Sequence, residues 1–413
     1  MLIIFLDKLH TTLHIINYYI DVFDVHFWSN FKTFFDARYH QVFLDEDKDG
    51  DLQEFYDSHI FAVSLVPLRL LIEVSSGVEA IIWNNDYPSS VSLCRPIMLI
   101  FSKETPELTN EVVSKMNEEI ETLVPTEIGN VSVVTEMYFT MVDTKVVNDV
   151  TKTHSSKCYI CMRSGKSLNL PLSVADTDES ERYRYGLSPL YASIRSMDIF
   201  IKISSRLTME VPKWKVTNKN FKPKEHEETI CTALKEQLGL HINEPRPGGG
   251  NSNSGNVARR FIELREAVAE ITGLDKDLLE RFHVILTIIS SRAEIDVNAY
   301  RAYAEETRIL FNKLYGWYAM SPTVHKLLLH GAAVIKHALL PIGMFSEEAG
   351  ESRNKSIRKF REEHARRFNR EVNLEDVFKR LLLTSDPKIS LTNRRPTKCS
   401  DLPIPENAKH LIL

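Results

Sequence analysis

The sequence predicts a mixed α/β fold, rich in strands over its first half and in helices over its second. Three observations carry that prediction. Between about 60 and 145, β-branched and aromatic runs are separated by Gly, Asn and Pro, the texture of strands. One stretch among them is apolar at helical spacing instead. After "KCYICMRSGK" almost every segment has the helical period. With 413 residues, 43% of them hydrophobic, the chain can bury a sizeable core and has room for two or three domains.

Taken in order, the strand candidates are "FAVSLVPLRLLIEV", "EAIIWN", "RPIMLIF" and "VSVVTEMYFTMV", with the helix "ELTNEVVSKMNEEIETLV" between the last two. Ahead of them, the aromatic-rich run from Phe23 to Phe35 is expected to be a buried helix, and residues 1–44 a helical N-terminal remnant. The helical half includes "SPLYASIRSMDIFIKISSRL", "GNVARRFIELREAVAEITG", "DLLERFHVILTIISSRAEI" and "SPTVHKLLLHGAAVIKHALL". Residues 243–256, "NEPRPGGGNSNSGN", have the composition of a flexible hinge. In the last helix, around "NLEDVFKRLLL", Asn373 is the expected N-cap, with Asp376 in the favourable first turn, and the tail from Asp386 is expected to be irregular.

Charge and cysteine usage narrow the class. A formal charge of -5 excludes a chain coated in basic residues, so nucleic-acid contact requires a local patch. Five cysteines, Cys94, Cys158, Cys161, Cys231 and Cys399, are too few and too unevenly spaced for a disulfide-stapled secreted fold. The apolar N-terminus is interrupted by Asp7 and Lys8 and is followed by no small-residue cleavage site. An intracellular protein with no membrane partner is the expectation.

Three constellations can carry chemistry. Cys158-x-x-Cys161 on a turn and His325-x4-His330 on a helix together make a Cys2His2 set, which would close a tetrahedral zinc site of the structural kind. Ligands so distant in sequence would clamp the strand-rich half to the helical half. The alternative is two small core cysteines and two ordinary helix histidines. The second constellation is basic. Arg353, Lys355, Arg358, Lys359, Arg361, Arg366, Arg367 and Arg370 recur at spacings of three and four, which suits a phosphate backbone, although a charged helix is usually a solvated face. Arg259 and Arg260 form a smaller basic point, and Tyr315, Trp317 and Tyr318 either stack on bases or pack in the core. The third is Asp143, at the end of an apolar strand, either a metal ligand or a turn residue.

The stretch "DEDKDGDLQEF" at 45–55 places Asp45, Asp47, Asp49, Gly50 and Asp51 as in a twelve-residue calcium loop. Position twelve is Tyr56, which cannot supply the bidentate carboxylate.

The order of "DGDLQE", "CRPIMLIF", "CYIC", "GNVARRF", "HKLLLHGAAVIKHALLPIGMFSEEAGESRNKSIRKFR" and "LEDVFKRLLLTSDP" resembles the Transib-type transposases and their relative, the catalytic core of the V(D)J recombinase, over roughly residues 45–390. The resemblance implies an RNase H-like core with a zinc-binding region and a large helical insertion. It also implies metal-dependent DNA cleavage and transfer, the endonuclease step of DNA recombination, in the nucleus. Its three acidic metal ligands fall on Asp49, with Asp47 the alternative register, on Asp143, with Asp149 as fallback, and on Glu351. They would hold two Mg2+ or Mn2+ ions. The zinc ligands fall on Cys158, Cys161, His325 and His330, and the DNA contacts on Arg259, Arg260, Arg353, Lys355, Arg358 and Lys359. DNA and a second copy of the chain are the implied partners. Two departures stand out: Thr144 occupies a place where the recombinase has a further acidic residue, and the stretch from Asp143 to Cys158 is shorter. The segment before Asp45 matches nothing of the family's DNA-binding N-terminal region, so loss of terminal-repeat recognition is the expectation. The implied divisions are 45–155 and 156–187 for the first part of the core and the CxxC segment with its linker. The helical insertion would cover 188–320, the histidine and Glu351 helices 321–385, and the tail 386–413.

Overall fold

The computed structural model describes every residue except 1–2, 6–29, 44–58, 75–77, 104, 129–130, 139–143, 173–180, 209–221, 245–252, 346, 387–388 and 390–403. The chain forms two compact units. One comprises 1–150 with 345–399, the other 151–344 with 400–413.

The described strands are β1 (Ile3–Phe5), β2 (Asn30–Phe43), β3 (His59–Val74), β4 (Val78–Asn84), β5 (Arg95–Phe101), β6 (Thr126–Ile128) and β7 (Val131–Tyr138). The helices are α1 (Pro106–Glu121), α2 (Thr144–Thr151), α3 (Pro189–Ser204), α4 (Pro223–Leu238), α5 (Gly255–Glu263), α6 (Arg265–Thr272), α7 (Lys276–Ser290) and α8 (Val297–Tyr315). There follow α9 (Pro322–His325), a π turn (Lys326–His330), α10 (Gly331–His337), α11 (Glu348–Lys359), a second π turn (Phe360–His364) and α12 (Arg370–Thr384). The fold is thus mixed, with the expected strands and the helix α1 where the periodicities place them.

In the first unit one sheet has the order β1-β5-β3-β2-β7-β6, and β4 pairs with part of β3. All its pairings are antiparallel except that of β2 with β7, which is parallel and brings Asp36 level with Tyr138. The expected helix over 23–35 is corrected where it falls on described residues, 30–35, because residues 30–43 form β2 and pair with β3 from Phe31 to Phe43. The reason is visible in "FDARYH", residues 35–40, where apolar and polar residues alternate at period two, the signature of a strand.

Among the described residues, two of the sheet's three register irregularities fall at prolines. Proline has no N–H to give to a ladder and is tolerated at bulges. Phe35 pairs with Pro67 and Phe34 with Arg69, leaving Leu68 as the extra residue. The backbone N–H of Asn85 reaches Leu68 O at 2.8 Å, and its side-chain amide reaches Pro67 O at 2.8 Å. On the other edge Val63 pairs with Met98 and Ser64 with Pro96, so that Ile97 is extra.

The cross-strand pairs Ile60–Phe101 and Ala62–Leu99 lie on one sheet face. Against them pack Ile357 of α11 and Leu374, Val377, Phe378 and Leu381 of α12. Phe61, Val63, Met98 and Ile100, which alternate with these, are buried as well. Burial on both faces is why β3 and β5 read as near-continuous apolar runs rather than as alternating ones. The helix α11 also packs against β2.

The basic stretch is not one helix with one cationic face. Its α-helical part ends at Lys359, a π turn follows, and α12 begins at Arg370 with Asn369 as N-cap, accepting from Val372 N at 2.8 Å. Asn373, the expected cap, is buried and donates to Arg366 O at 3.1 Å. Asp376 accepts from Arg366 Nε and Nη2, each at 2.9 Å, and this bidentate contact holds its carboxyl well below the usual carboxylate range.

In the second unit, Phe200 of α3 meets Phe282 of α7 edge to face with centroids 4.9 Å apart. The tail beyond Asp386 is not irregular throughout. A 3-10 turn, Glu406–Leu411, buries Ala408 and Leu411, and Leu411 O accepts from Asp296 N at 2.9 Å.

Truncating Phe378 to alanine should destabilise the first unit by about 3–5 kcal/mol in denaturant titration. The depressed Asp376 carboxyl stabilises the fold fully above the unfolded carboxylate pKa of about 3.9, and that contribution is lost as pH falls through the lower folded value. Asp376→Asn should therefore lower stability at pH 7 and lose that deficit under acid conditions, as read by thermal unfolding across pH.

Candidate metal centre

The chain around the two cysteines folds as a tight knuckle. Met162 N donates to Cys158 O at 2.7 Å, Cys158 N donates to Arg163 O at 2.9 Å, and Lys157 bridges Ser164. Closing this turn requires Met162 to take φ of 63°, a left-handed conformation unusual for a residue with a side chain. Tyr159 between the cysteines is buried, donating to Gly186 O at 3.1 Å.

The histidine pair poses a geometric problem. In an α-helix, five residues rotate by 500°, which leaves the two side chains roughly 140° apart. A π turn holds more residues per turn and brings position i+5 back above position i. The π turn Lys326–His330 does this, setting the two imidazoles 5.1 Å apart, centroid to centroid.

Cys158, Cys161, His325 and His330 converge, each offering one ligand atom within 4.8 Å of the other three. A tetrahedron with bonds of about 2.0–2.3 Å has edges of roughly 3.3–3.8 Å. The Cys161 Sγ to His325 Nε2 distance of 3.2 Å is already of that order. Both imidazoles and Cys158 are fully buried, and Cys161 is half-buried. The outer partner of a ligating histidine is present too: His325 Nδ1 donates to Leu168 O at 2.7 Å, leaving Nε2 toward the thiols. That carbonyl is held in place by the neighbouring Asn169, whose side chain bonds Tyr318 O at 2.9 Å, Met320 N at 2.9 Å and Asn312 Oδ1 at 3.1 Å.

Hydrogen bonding with Cys161 lowers the Cys158 thiol to about 7, burial opposes this, and the Lys326 ammonium helps. Lys326 itself lies 4.2 Å from the centre of the Tyr159 ring. The donor set, its burial and its outer hydrogen bonds fit a metal such as zinc. All four ligands belong to the helical unit, 151–344. The expectation that they clamp the strand-rich half to the helical half is corrected accordingly: the quartet ties the CxxC knuckle to the π turn inside one unit.

The other candidate residues are placed less completely. Asp47, Asp49 and Asp143 lie outside the described residues, as does the stretch "DEDKDGD" read against a calcium loop. Glu351 is exposed in the first turn of α11, one turn before exposed Lys355 and two before exposed Lys359. Asp149, the fallback, is half-buried in α2.

Arg353 is no surface cation. It is 1% exposed, donates to Thr384 Oγ1 at 3.0 Å and to Val91 O, and burial lowers its pKa. That removes it from the DNA-contacting set. Arg361 and Arg370 stand over the Phe101 ring at 4.9 and 5.3 Å, and Arg366 is engaged by Asp376. Lys355 and Lys359 are exposed on α11, with Lys359 3.9 Å from Glu363, while Arg358 is half-buried. In α5, Arg259 donates to Asn256 Oδ1 at 3.1 Å, and Arg260 donates to Leu238 O at 3.1 Å, closing the C-terminal end of α4. Of the aromatic residues, Tyr315 is buried and its hydroxyl oxygen accepts from Asp275 N at 2.9 Å, while Trp317 and Tyr318 contact each other edge to face at 5.7 Å.

One residue went unnoticed in the sequence. Asp36, in the strand read as a helix, is brought by register level with the C-terminal end of β7. The period-two pattern around it was the available signal. No family model matches the chain, and no curated protein matches it.

The purified protein should contain one zinc per chain by metal analysis, and Cys158→Ser with Cys161→Ser should abolish it together with cooperative unfolding of the helical unit. Met162→Gly relieves a left-handed residue that is 44% exposed. It should raise thermal stability, by about 0.5–1 kcal/mol, rather than lower it.

Proposed function

We propose that this chain is a transposon-derived DNA-binding protein of the DDE transposase and recombinase type, with an RNase H-like unit and a zinc-stabilised helical unit, acting in the nucleus as a pair of chains. The observation that carries this reading is the convergence of Cys158, Cys161, His325 and His330, the pairing of a CxxC with a spaced histidine pair that the transposase resemblance calls for. The sheet supports it. Parallel β2 and β7 are neighbours, and their register sets the end of β7, the strand that precedes Asp143 in the sequence, level with Asp36. Glu351 belongs to the helix that packs on β2.

Two bound Mg2+ or Mn2+ ions would activate water or a 3′ hydroxyl and stabilise the in-line displacement at a DNA phosphate. The chain's part is to present carboxylates from Asp49, Asp143 and Glu351. The register adds Asp36 as a rival to Asp49 for the first position. Lys355, Arg358 and Lys359, beside Glu351 on α11, would neutralise the phosphates, with Arg259 and Arg260 as a second contact. A non-catalytic zinc-stabilised DNA- or protein-binding module is the second reading. It is favoured by the quartet lying wholly within a unit that contains none of these carboxylates.

Nicking of supercoiled plasmid that requires Mg2+ or Mn2+ and falls at least a hundredfold in Glu351→Gln is the expected result, with Asp36→Asn and Asp49→Asn compared to identify the first ligand. Salt-sensitive DNA binding without nicking would select the module, and absence of both would overturn the DNA reading. Lys355→Ala with Lys359→Ala should weaken binding and flatten its salt dependence by about two charges.

A further inference from the structure

Resting on the assignment of the quartet as a metal centre, we infer that Tyr300 is a positioning residue for that centre, acting through the π turn that aligns His325 with His330. A π turn interrupts the i→i−4 ladder, and the interruption persists where surrounding groups stabilise it. Tyr300, on α8, is completely buried, and its hydroxyl donates to Leu327 O, a carbonyl inside the turn, at 3.0 Å. Its ring lies against the residue that follows the second histidine. A Cβ at Gly331 would stand 2.8 Å from Cε1 and from the hydroxyl of Tyr300, so only glycine lets the ring approach this closely. The tyrosine therefore meets the turn twice, once by a hydrogen bond at its middle and once by packing at its end.

The consequence concerns the metal directly. Were the turn to relax to regular α-helix, His330 would swing roughly 140° away from His325 and leave the tetrahedron. Phe200, Phe282 and Phe311 are equally buried and touch no ligand-bearing backbone through a polar atom, because they have none. Tyr300 differs from them by its hydroxyl, and the hydroxyl is spent on the π turn.

The test is cobalt substitution in the full-length protein, because Co2+ in a Cys2His2 site gives visible bands that report tetrahedral geometry. Wild-type protein should bind one Co2+ with such bands. Tyr300→Phe keeps the ring and removes only the donor. It should bind Co2+ at least tenfold more weakly in competition with a chelator, as loss of an outer-shell partner does, with bands that shift or lose intensity. Deleting Leu329 shortens the histidine spacing to four, which a regular α-helix accommodates. In that background Tyr300→Phe should leave Co2+ affinity unchanged. Wild-type affinity and spectrum in Tyr300→Phe would overturn the inference, as would an equal loss in the deletion background, which would mark the tyrosine as merely structural. A wild-type protein that binds no Co2+ would instead remove the metal centre itself.

Discussion

A helix that must direct two imidazoles, five residues apart, at the same point cannot be regular throughout. That constraint organises the helical unit. The π turn at Lys326–His330 meets it, Tyr300 and Gly331 accommodate the turn, and the Asn169 network fixes the carbonyl that orients His325. Each of these polar groups is buried, where an unmatched donor or acceptor is costly, so the arrangement is demanding in its details. The CxxC knuckle completes it by accepting a left-handed Met162.

How much of this was visible in the sequence depends on which interaction fixes each part. The strands β3, β4, β5 and β7 and the helix α1 follow from local patterns, and there periodicity suffices. The strand β2 was misread because its aromatic richness suggested a buried helix, although alternation from Phe35 to His40 argued for a strand. The Cys2His2 quartet was named residue by residue, as one of two readings of the spacing and as what the transposase resemblance implies, and the four side chains do converge. What spacing could not reveal was that all four ligands belong to one unit, which depends on where the chain divides. Asp36 was hidden because its interest comes from parallel register with a strand about a hundred residues later.

The basic run illustrates a different limit. Eight cations at helical spacing look interchangeable in sequence, yet the structure gives them separate tasks. Arg353 spans the interior between Val91 and Thr384, Arg361 and Arg370 lie over Phe101, and Arg366 holds Asp376. Long side chains can bury their stems and use guanidinium groups as interior hydrogen-bond donors, which composition alone does not disclose. The outward positive face of α11 is consequently narrower than the run suggests, and any phosphate it contacts is read by few side chains.

The sheet of the first unit is covered by helices encoded far downstream of it. During synthesis, the face formed by Ile60, Ala62, Leu99 and Phe101 emerges long before Leu374, Val377, Phe378 and Leu381 exist to cover it. At about 5–20 residues per second, that interval is on the order of tens of seconds. Throughout it the nascent chain carries an oily strand surface whose covering helices are not yet made, and the helical unit too waits for its last segment, 400–413.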